Sequence, residues 1–170
     1  MNETVDYIIK FLYAAVLAGV PLMYGTLGEI ITEKAGNLNL GVEGLMYMGA
    51  ISGFTAGFYT NNPALALLAA FGAGVLGSLI YAILTVSFKA NQNVTGLTLT
   101  IFGSGFANLF GGNLNKMAGG AGQISVAFTS GVYRTKIPFL SDSTGVFGEM
   151  FFFYGFLAYV AIIIALAVKW

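Results

Sequence analysis

Residues 44–88 read GLMYMGAISGFTAGFYTNNPALALLAAFGAGVLGSLIYAILTVSF, a run of 45 residues that contains no charged side chain. A membrane-spanning helix needs about 20 apolar residues, so this run is too long for one crossing and long enough for two. The cluster TNNP at 60–63 divides the run, and proline is well suited to the first position of a helix. The run therefore predicts two spanning helices, at about 43–60 and 64–88.

The composition of the whole chain agrees with a membrane protein. Of its 170 residues, 57% are hydrophobic and 8% are charged, and the net charge is zero. Soluble domains carry about 25% charged residues. The absence of a basic run argues against nucleic-acid binding. The absence of Cys and His excludes thiolate and imidazole metal sites and histidine-based catalytic triads.

Charged residues mark the gaps between further apolar segments. The predicted spans are about 7–27, 43–60, 64–88, 94–112 and 150–168. The fold class is accordingly all-α: a polytopic transmembrane helical bundle of about five spans that forms one domain over residues 1–170. Lys34, Lys89 and Lys169 fall on one side of this arrangement, which predicts that 28–42 and 89–93 face the cytoplasm. Residues 113–149 form the only long connection and are predicted to be a solvated loop.

The polar stretch EKAGNLNLGVEG at 33–44 separates the first two spans. Hydropathy alone does not decide between a cytoplasmic turn and a broken helix at membrane depth. We favour the broken helix, in which Gly36, Gly41 and Gly44 supply bends. Backbone groups freed there would be satisfied by Asn37 and Asn39 or by a water-filled path.

Polar residues inside or beside the spans are candidates for a solute path, because polar groups at membrane depth are costly and usually face a bundle interior or a water-filled route. Some are expected to act only as loop or capping groups, with Asn93 capping span four. For Glu43, a role at the N-terminal dipole of span two is favoured over a place in the path. The candidates are Glu29, Glu33, Asn37, Asn39, Glu43, Asn91, Gln92, Asn93, Thr98, Thr100 and Asn108.

Gly49, Gly53 and Gly57 recur at every fourth position of span two. This spacing predicts a smooth helix face that another backbone approaches closely. No phosphate-binding GxxxxGK[ST] loop, HExxH or GxSxG motif occurs in the chain. The sequence therefore predicts no enzyme, no catalytic residue and no metal site, and places any ATP hydrolysis on another chain.

Two blocks of the chain resemble a known family. LGEIITEKAGNLNLGVEGLMYMGA (27–50) is similar to the signature of permease subunits of ABC importers for simple sugars and nucleosides, within the ribose- and branched-chain-amino-acid-like permease family. The matching positions include Gly28-Glu29, Glu33-Lys34 and the Asn-Leu-Gly-x-Glu-Gly run at 39–44. FKANQNVTGLTLTIFGSGFANLFGG (88–112) resembles the family's next shared block and favours its nucleoside-type branch.

The resemblance implies a permease subunit that forms a translocation path in the plasma (inner) membrane of a prokaryote. Its expected partners are a second permease subunit (in a homodimer or heterodimer), a cytoplasmic ATP-binding subunit, an extracytoplasmic substrate-binding protein and the lipid bilayer. No cofactor is expected on this chain, since ATP would be used by the partner. A neutral nucleoside or sugar suits a path lined by amide and hydroxyl side chains.

Members of that family are considerably longer, and they carry a cytoplasmic coupling loop soon after the span that resembles 150–168. The chain is therefore expected to be the N-terminal half of a permease. Two other functions stay open at this point. One is a half-size module of a secondary transporter that dimerises, and the other is a membrane scaffold that transports nothing.

Overall fold

A computed structural model of the chain describes residues 3–117, 131–133, 135 and 154–169. Within these ranges the secondary structure is helical and no strand is present, which confirms the predicted all-helical fold. Much of the predicted loop 113–149 and the first residues of the predicted span 150–168 lie outside the described residues. The main helices are α1 (Glu3–Lys34), α2 (Val42–Thr60), α3 (Pro63–Ala82), α4 (Gln92–Met117) and α5 (Tyr154–Lys169).

Three segments in the described part of the chain are long and apolar enough to cross a membrane. They are Tyr7–Lys34, Pro63–Ser87 and Gln92–Lys116. The helix α2 has 19 residues, and the apolar segment Ala158–Ala167 in α5 is shorter. These segments agree with a polytopic helical bundle, while the number of five crossings remains a prediction.

The helix α1 continues beyond the end of the predicted first span at residue 27 and ends at Lys34. Its end has the hydrogen bonds of a Schellman motif: the Asn37 N–H donates to the Thr32 carbonyl at 3.1 Å and the Gly36 N–H to the Glu33 carbonyl at 2.9 Å. Gly36 has a φ of 86°, which glycine adopts without steric cost. Of the three glycines expected to supply bends, this one does so by its backbone conformation.

The turn between α2 and α3 follows the sequence prediction. Asn61 ends α2 in the left-handed conformation, with φ 48° and ψ 32°. The Asn62 side chain accepts hydrogen bonds from the backbone of Ala64 at 2.9 Å and Leu65 at 3.4 Å. Pro63 is the first residue of α3, where its missing N–H is not needed. The predicted start of a helix at Pro63 is confirmed.

The helix α3 continues into a single π-helical turn at Ile83–Ser87. The Phe88 N–H donates to the Ile83 carbonyl at 3.0 Å, and the Ala90 N–H donates to the Leu84 carbonyl at 2.9 Å. Lys89, with φ 53°, takes the left-handed conformation. The wider turn therefore ends α3 and leads into the short connection to α4.

The start of α4 corrects one prediction. The Asn91 side chain accepts hydrogen bonds from the backbone of Asn93 at 3.0 Å and Val94 at 3.2 Å. Asn91 is therefore the residue that caps the helix, and the prediction that Asn93 does so was wrong. The two residues have the same side chain, and the helix begins at Gln92, two residues before the predicted span, because the cap is Asn91.

The chain divides into two compact units. One comprises Met1–Thr26 with Ser130–Trp170, and within it the rings of Tyr24 and Tyr159 meet edge to face with their centroids 5.4 Å apart. The other comprises Leu27–Thr129 and contains the end of α1 together with α2, α3 and α4. In this second unit, α2 packs against both α3 and α4.

Candidate functional site

The seven-residue connection between α1 and α2, residues 35–41, is held to the start of α4 by the side chain of Gln92. The Leu38 N–H donates to Gln92 Oε1 at 2.9 Å. Gln92 Nε2 lies 3.3 Å from the Gly36 carbonyl oxygen and 3.3 Å from Asn37 Oδ1, and it donates to both. One carboxamide thus bonds to three consecutive residues of the connection.

Two hydroxyl groups hold the connection from other positions. The Tyr81 hydroxyl of α3 donates to the Leu38 carbonyl at 2.7 Å, and Tyr81 is only 4% exposed. The Thr100 hydroxyl of α4 donates to the Leu40 carbonyl at 3.0 Å. The Leu38 residue is therefore bonded through its N–H to α4 and through its carbonyl to α3.

Asn39 is the most buried polar side chain of the connection, with 6% of its surface exposed. Its N–H donates to Glu29 Oε1 at 2.8 Å, and its own Oδ1 accepts from the Gly41 N–H at 2.9 Å. The second carboxylate oxygen, Glu29 Oε2, is buried and has no hydrogen-bonded partner among the described residues. We refer to Glu29, Tyr81, Gln92 and Thr100 as the clasp, because their side chains bond to the backbone of the connection.

The connection runs alongside the first turns of α4. At 1.5 Å per residue, Thr100 lies about 12 Å along the helix axis from Gln92. Because α4 is a candidate spanning helix, this places non-helical backbone beside its first third. Backbone groups in such a place must be satisfied by protein or enclosed water, and the clasp supplies protein partners. The helices are interrupted between Lys34 and Val42, as predicted near 33–44, and the depth of this interruption in the membrane stays a prediction.

Glycines bring α2 and α4 into direct backbone contact just beyond the connection. A Cβ atom on Gly44 would lie 2.7 Å from Thr100 Cα and would collide with the Leu99 carbonyl. A Cβ atom on Gly96 would lie 2.7 Å from the Leu40 nitrogen. We call this contact the α2–α4 seam; its glycines are Gly41, Gly44, Gly96 and Gly103.

The other side of α2 faces α3 across what we call the α2–α3 seam. A Cβ atom on Gly53 would lie 3.0 Å from both the Ala66 carbonyl oxygen and Ala70 Cβ, and one on Gly49 would lie 3.3 Å from the Ala70 carbonyl oxygen. Gly57 is buried. The structure thus places two of the three glycines predicted for helix packing against alanines of α3.

The remaining candidates lie outside the clasp. Asn91 caps α4 as described, and Thr98 donates to the Val94 carbonyl within its own helix at 2.8 Å. Glu43 is exposed in the first turn of α2, whose N-cap Gly41 provides no side-chain hydrogen bond. This position suits an interaction with the helix dipole. Glu33, Asn93 and Asn108 are exposed. Among the described residues no group of metal-ligating side chains occurs.

Sequence reasoning missed two contributors to this arrangement. Tyr81 lies within an apolar run and shows no sequence signal that would pair it with Leu38, 43 positions away. Gly96 and Gly103 were read as part of a glycine-containing span, with nothing to single them out from Gly105 or Gly112. Gln92, Asn39 and Glu29 were expected to belong to a polar group, and the structure brings them to the same connection.

The sequence profile of the family described as the permease component of branched-chain amino acid transport systems matches residues 4–170. The chain belongs to this family. It is a family of transport permeases and not of enzymes, and its members lie in membranes, in agreement with the apolar helices of this chain. The resemblance based on residues 27–50 and 88–112 is thereby confirmed.

Several curated relatives of this permease chain are ABC transporter permeases. A guanosine ABC transporter permease protein of Bacillus subtilis is 36% identical over 145 residues, 82% of this chain and 44% of the relative. A nucleoside ABC transporter permease protein of Lactococcus lactis subsp. cremoris is 34% identical over 157 residues, 85% of this chain and 47% of the relative. A glucose ABC transporter permease protein of Haloferax volcanii is 36% identical over 86 residues, 48% of this chain and 23% of the relative.

The permease chain therefore spans less than half the length of these curated relatives. No solved structure matches it.

Proposed function

We propose that this chain contributes to the membrane-spanning permease subunit of an ATP-driven ABC importer for nucleosides or simple sugars, and that it forms part of the translocation path. The observation that carries the proposal is the family match over residues 4–170, together with relatives whose names specify guanosine, nucleosides and glucose. These solutes share neutral, hydroxyl-rich chemistry, which amide and hydroxyl side chains can recognise without a counter-ion.

The proposed complex contains a second permease subunit, a cytoplasmic ATP-binding subunit and an extracytoplasmic substrate-binding protein, in the plasma membrane of a prokaryote. ATP would be bound and hydrolysed by the partner subunit. This division of labour is consistent with a sequence that has no phosphate-binding loop.

Within this chain we assign the path to the outward face of α4. Thr98, Gly105 and Gly112 are spaced by seven residues and share that face. Among the residues that the structure describes, nothing lies within 4 Å of a Cβ atom built on Gly105 or Gly112. The exposed Asn108 lies on the same side of the helix. A polar amide in a spanning helix is costly against hydrocarbon, so a path for a hydroxyl-rich solute accounts for it better than lipid does.

The clasp residues are assigned a different role. Glu29, Gln92 and Thr100 all bond to the backbone of the connection. Gln92 uses both its side-chain oxygen and its side-chain nitrogen in these bonds, and the Thr100 hydroxyl donates to the Leu40 carbonyl. We therefore remove these three from the set of solute-contacting candidates.

The proposal is tested with the full-length transporter and the proteins encoded beside it, by measuring uptake of labelled guanosine and labelled glucose into cells. ATP depletion should stop uptake, while collapse of the ion gradients at constant ATP should leave it. The reverse result would support the half-size secondary transporter. Absence of uptake, together with no solute-dependent thermal shift in the assembled complex, would support the scaffold.

The path assignment has its own test. Asn108→Leu should raise the half-saturating solute concentration about fivefold, the effect expected for one lost hydrogen bond. Asn113→Leu is the matched control, because five residues further along α4 the side chain points about 140° away around the helix. Equal effects of the two substitutions would contradict the assignment.

A further inference from the structure

We propose that Gln92 is a positioning residue that ties the connection 35–41 to the start of α4, so that the two segments move as one body during transport. This inference rests on the proposed transport function. It concerns how the permease moves and adds no contact with the solute.

The first argument is the chemistry of the Gln92 side chain. A carboxamide accepts through its oxygen and donates through its nitrogen. Gln92 uses both: it accepts from the Leu38 N–H at 2.9 Å and donates to the Gly36 carbonyl and Asn37 Oδ1 at 3.3 Å. The side chain thereby supplies partners for backbone groups that the end of α1 leaves without helical partners.

The second argument is that Leu38 is held from two helices. The Leu38 carbonyl is already bonded to the Tyr81 hydroxyl at 2.7 Å, and Tyr81 is buried. Opening the tie would free the Leu38 N–H and the Gly36 carbonyl, which belong to exposed residues, while the Tyr81 bond still holds the Leu38 carbonyl. The tie therefore contributes the net free energy of its hydrogen bonds, about 1 kcal/mol each.

The third argument is the backbone contact that lies next to the tie. A Cβ atom on Gly96 would be 2.7 Å from the Leu40 nitrogen, and one on Gly41 would be 3.0 Å from the Gly96 carbonyl oxygen. These backbones are too close to admit a water layer between them. The close backbone contact between Gly41 and Gly96 and the hydrogen bonds of Gln92 both oppose movement of the connection along α4.

The consequence is a mechanical link between two connections that are predicted to face the same side of the membrane. A displacement of the α3–α4 turn at 88–91 would be carried through Gln92 to residues 36–38 and on to the start of α2. Loss of the link should slow the conformational step while leaving solute affinity unchanged. This combination separates a positioning residue from one that lines the path.

A covalent tether tests the proposal directly, because residues 1–170 contain no cysteine and any native cysteine elsewhere in the transporter is first replaced by serine. Asn37→Cys/Gln92→Cys is introduced into the full-length transporter, reconstituted with its partners, and uptake of labelled guanosine and glucose is compared before and after bridging by a short thiol cross-linker. Before cross-linking, the maximal uptake rate of the double variant should be about fivefold lower than that of the wild type, with the half-saturating concentration unchanged. Cross-linking should restore most of the rate.

Each single-cysteine variant, treated with the same cross-linker, serves as the control and should show no recovery. Cross-linking that stops the remaining uptake would mean that the two segments separate during transport, and the proposal would be wrong. An unchanged rate after cross-linking would contradict it as well. So would a raised half-saturating concentration at full maximal rate, since that result would make Gln92 a solute contact.

A second variant covers the case in which the double substitution prevents assembly. Gln92→Glu keeps the acceptor for the Leu38 N–H and loses both donated bonds, so its maximal rate should lie between those of the wild type and Gln92→Ala. Equal rates for Gln92→Glu and Gln92→Ala would contradict a role based on these bonds.

Backbone amide exchange provides a readout that does not depend on the transported solute. In the wild-type complex, exchange of the peptide covering 35–41 should be slow and equally slow with and without ATP. Gln92→Ala should accelerate it about tenfold. Faster amide exchange of this peptide in the wild type during ATP turnover would contradict the proposed role of Gln92. Uptake that does not depend on ATP would contradict only the proposed ABC function.

Discussion

The two faces of α2 are packed at different distances. Against α4, the atoms that a Cβ on Gly44 would meet are the backbone of Leu99 and Thr100. Against α3, a Cβ on Gly53 would meet a side-chain carbon of Ala70 as well as a carbonyl oxygen. The nearest atoms to a Cβ on Gly44 all lie under 3.0 Å, whereas those to a Cβ on Gly49 or Gly53 lie at 3.0 Å or more. The α2–α4 seam therefore fixes the register of the two helices, and the α2–α3 seam leaves room for adjustment.

The largest effect is expected for Gly44→Ala. The added methyl group would overlap backbone on α4 that cannot move without displacing the whole helix, so we expect a loss of about 3 kcal/mol or more in the free energy of unfolding. The measurement is equilibrium unfolding in mixed detergent micelles.

Gly105→Ala on α4 is the control for this substitution, because no atom of the described part of the chain lies within 4 Å of the added methyl group. It should leave the unfolding free energy within about 0.5 kcal/mol of the wild type. If both variants unfold like the wild type, the α2–α4 seam does not have the backbone contact described.

Gly53→Ala should have an intermediate effect and sharpens the contrast between the seams. The contacts at 3.0 Å require a shift of a few tenths of an ångström, at a cost of about 1–2 kcal/mol. The double variant Gly53→Ala/Ala70→Gly should recover part of this loss, since one of the two close contacts is removed. A double-mutant cycle of unfolding free energies measures the coupling. Strict additivity would show that Ala70 is not the neighbour that resists the change.

The Thr100→Val substitution measures how much hydrogen bonding contributes to the stability of the α2–α4 seam. Valine keeps the shape of the side chain and removes the bond to the Leu40 carbonyl, so we expect a loss of about 1 kcal/mol. Thr55→Val is the matched control, because its hydroxyl donates only to the Ile51 carbonyl of its own helix. Thermal unfolding of the purified variants compares them. A larger loss for Thr55→Val would contradict the ranking.

The smallest effect is expected for Gly77→Ala in the α2–α3 seam. The added methyl group meets the end of the Leu45 side chain and Met48 Sδ, the latter at 3.5 Å. Leucine and methionine ends can change rotamer, and alanine is the better helix former. The free energy of unfolding should change by less than about 1 kcal/mol. A loss as large as that of Gly44→Ala would remove the distinction between the two seams.

The helical class, the break after α1 and the start of α3 could be predicted from the sequence because they depend on local signals. An uncharged run, a polar interruption and Asn62-Pro63 each act over a few residues. The end of α1 was predicted less well. Charged residues were used to mark the ends of the spans, which placed this end at residue 27, whereas α1 ends at Lys34. Glu29 lies inside α1, and its carboxylate accepts a hydrogen bond from the Asn39 N–H at 2.8 Å.

The clasp could be predicted only as a polar group and not as a set of bonds. Its partners are separated by up to 60 positions in the chain, and their pairing depends on the relative register of helices. The same limit applies to the glycines. Gly103 and Gly105 lie two positions apart in the sequence. The first contacts the backbone of Gly44 and the second faces open space, a difference decided by helix packing alone.

The π-helical turn at Ile83–Ser87 determines how the chain would respond to the deletion of one residue. A π-turn holds one residue more than the α-helical turn that it replaces. Deleting one residue there would convert the turn to α-helix and leave Pro63–Ala82, including Tyr81, where it is. Because the wider turn makes the same revolution with one residue more, the chain after the deletion would keep its orientation relative to α3. The turn therefore absorbs one residue without changing the direction of the chain that leads to Gln92, whose side chain bonds to the same residue, Leu38, as that of Tyr81.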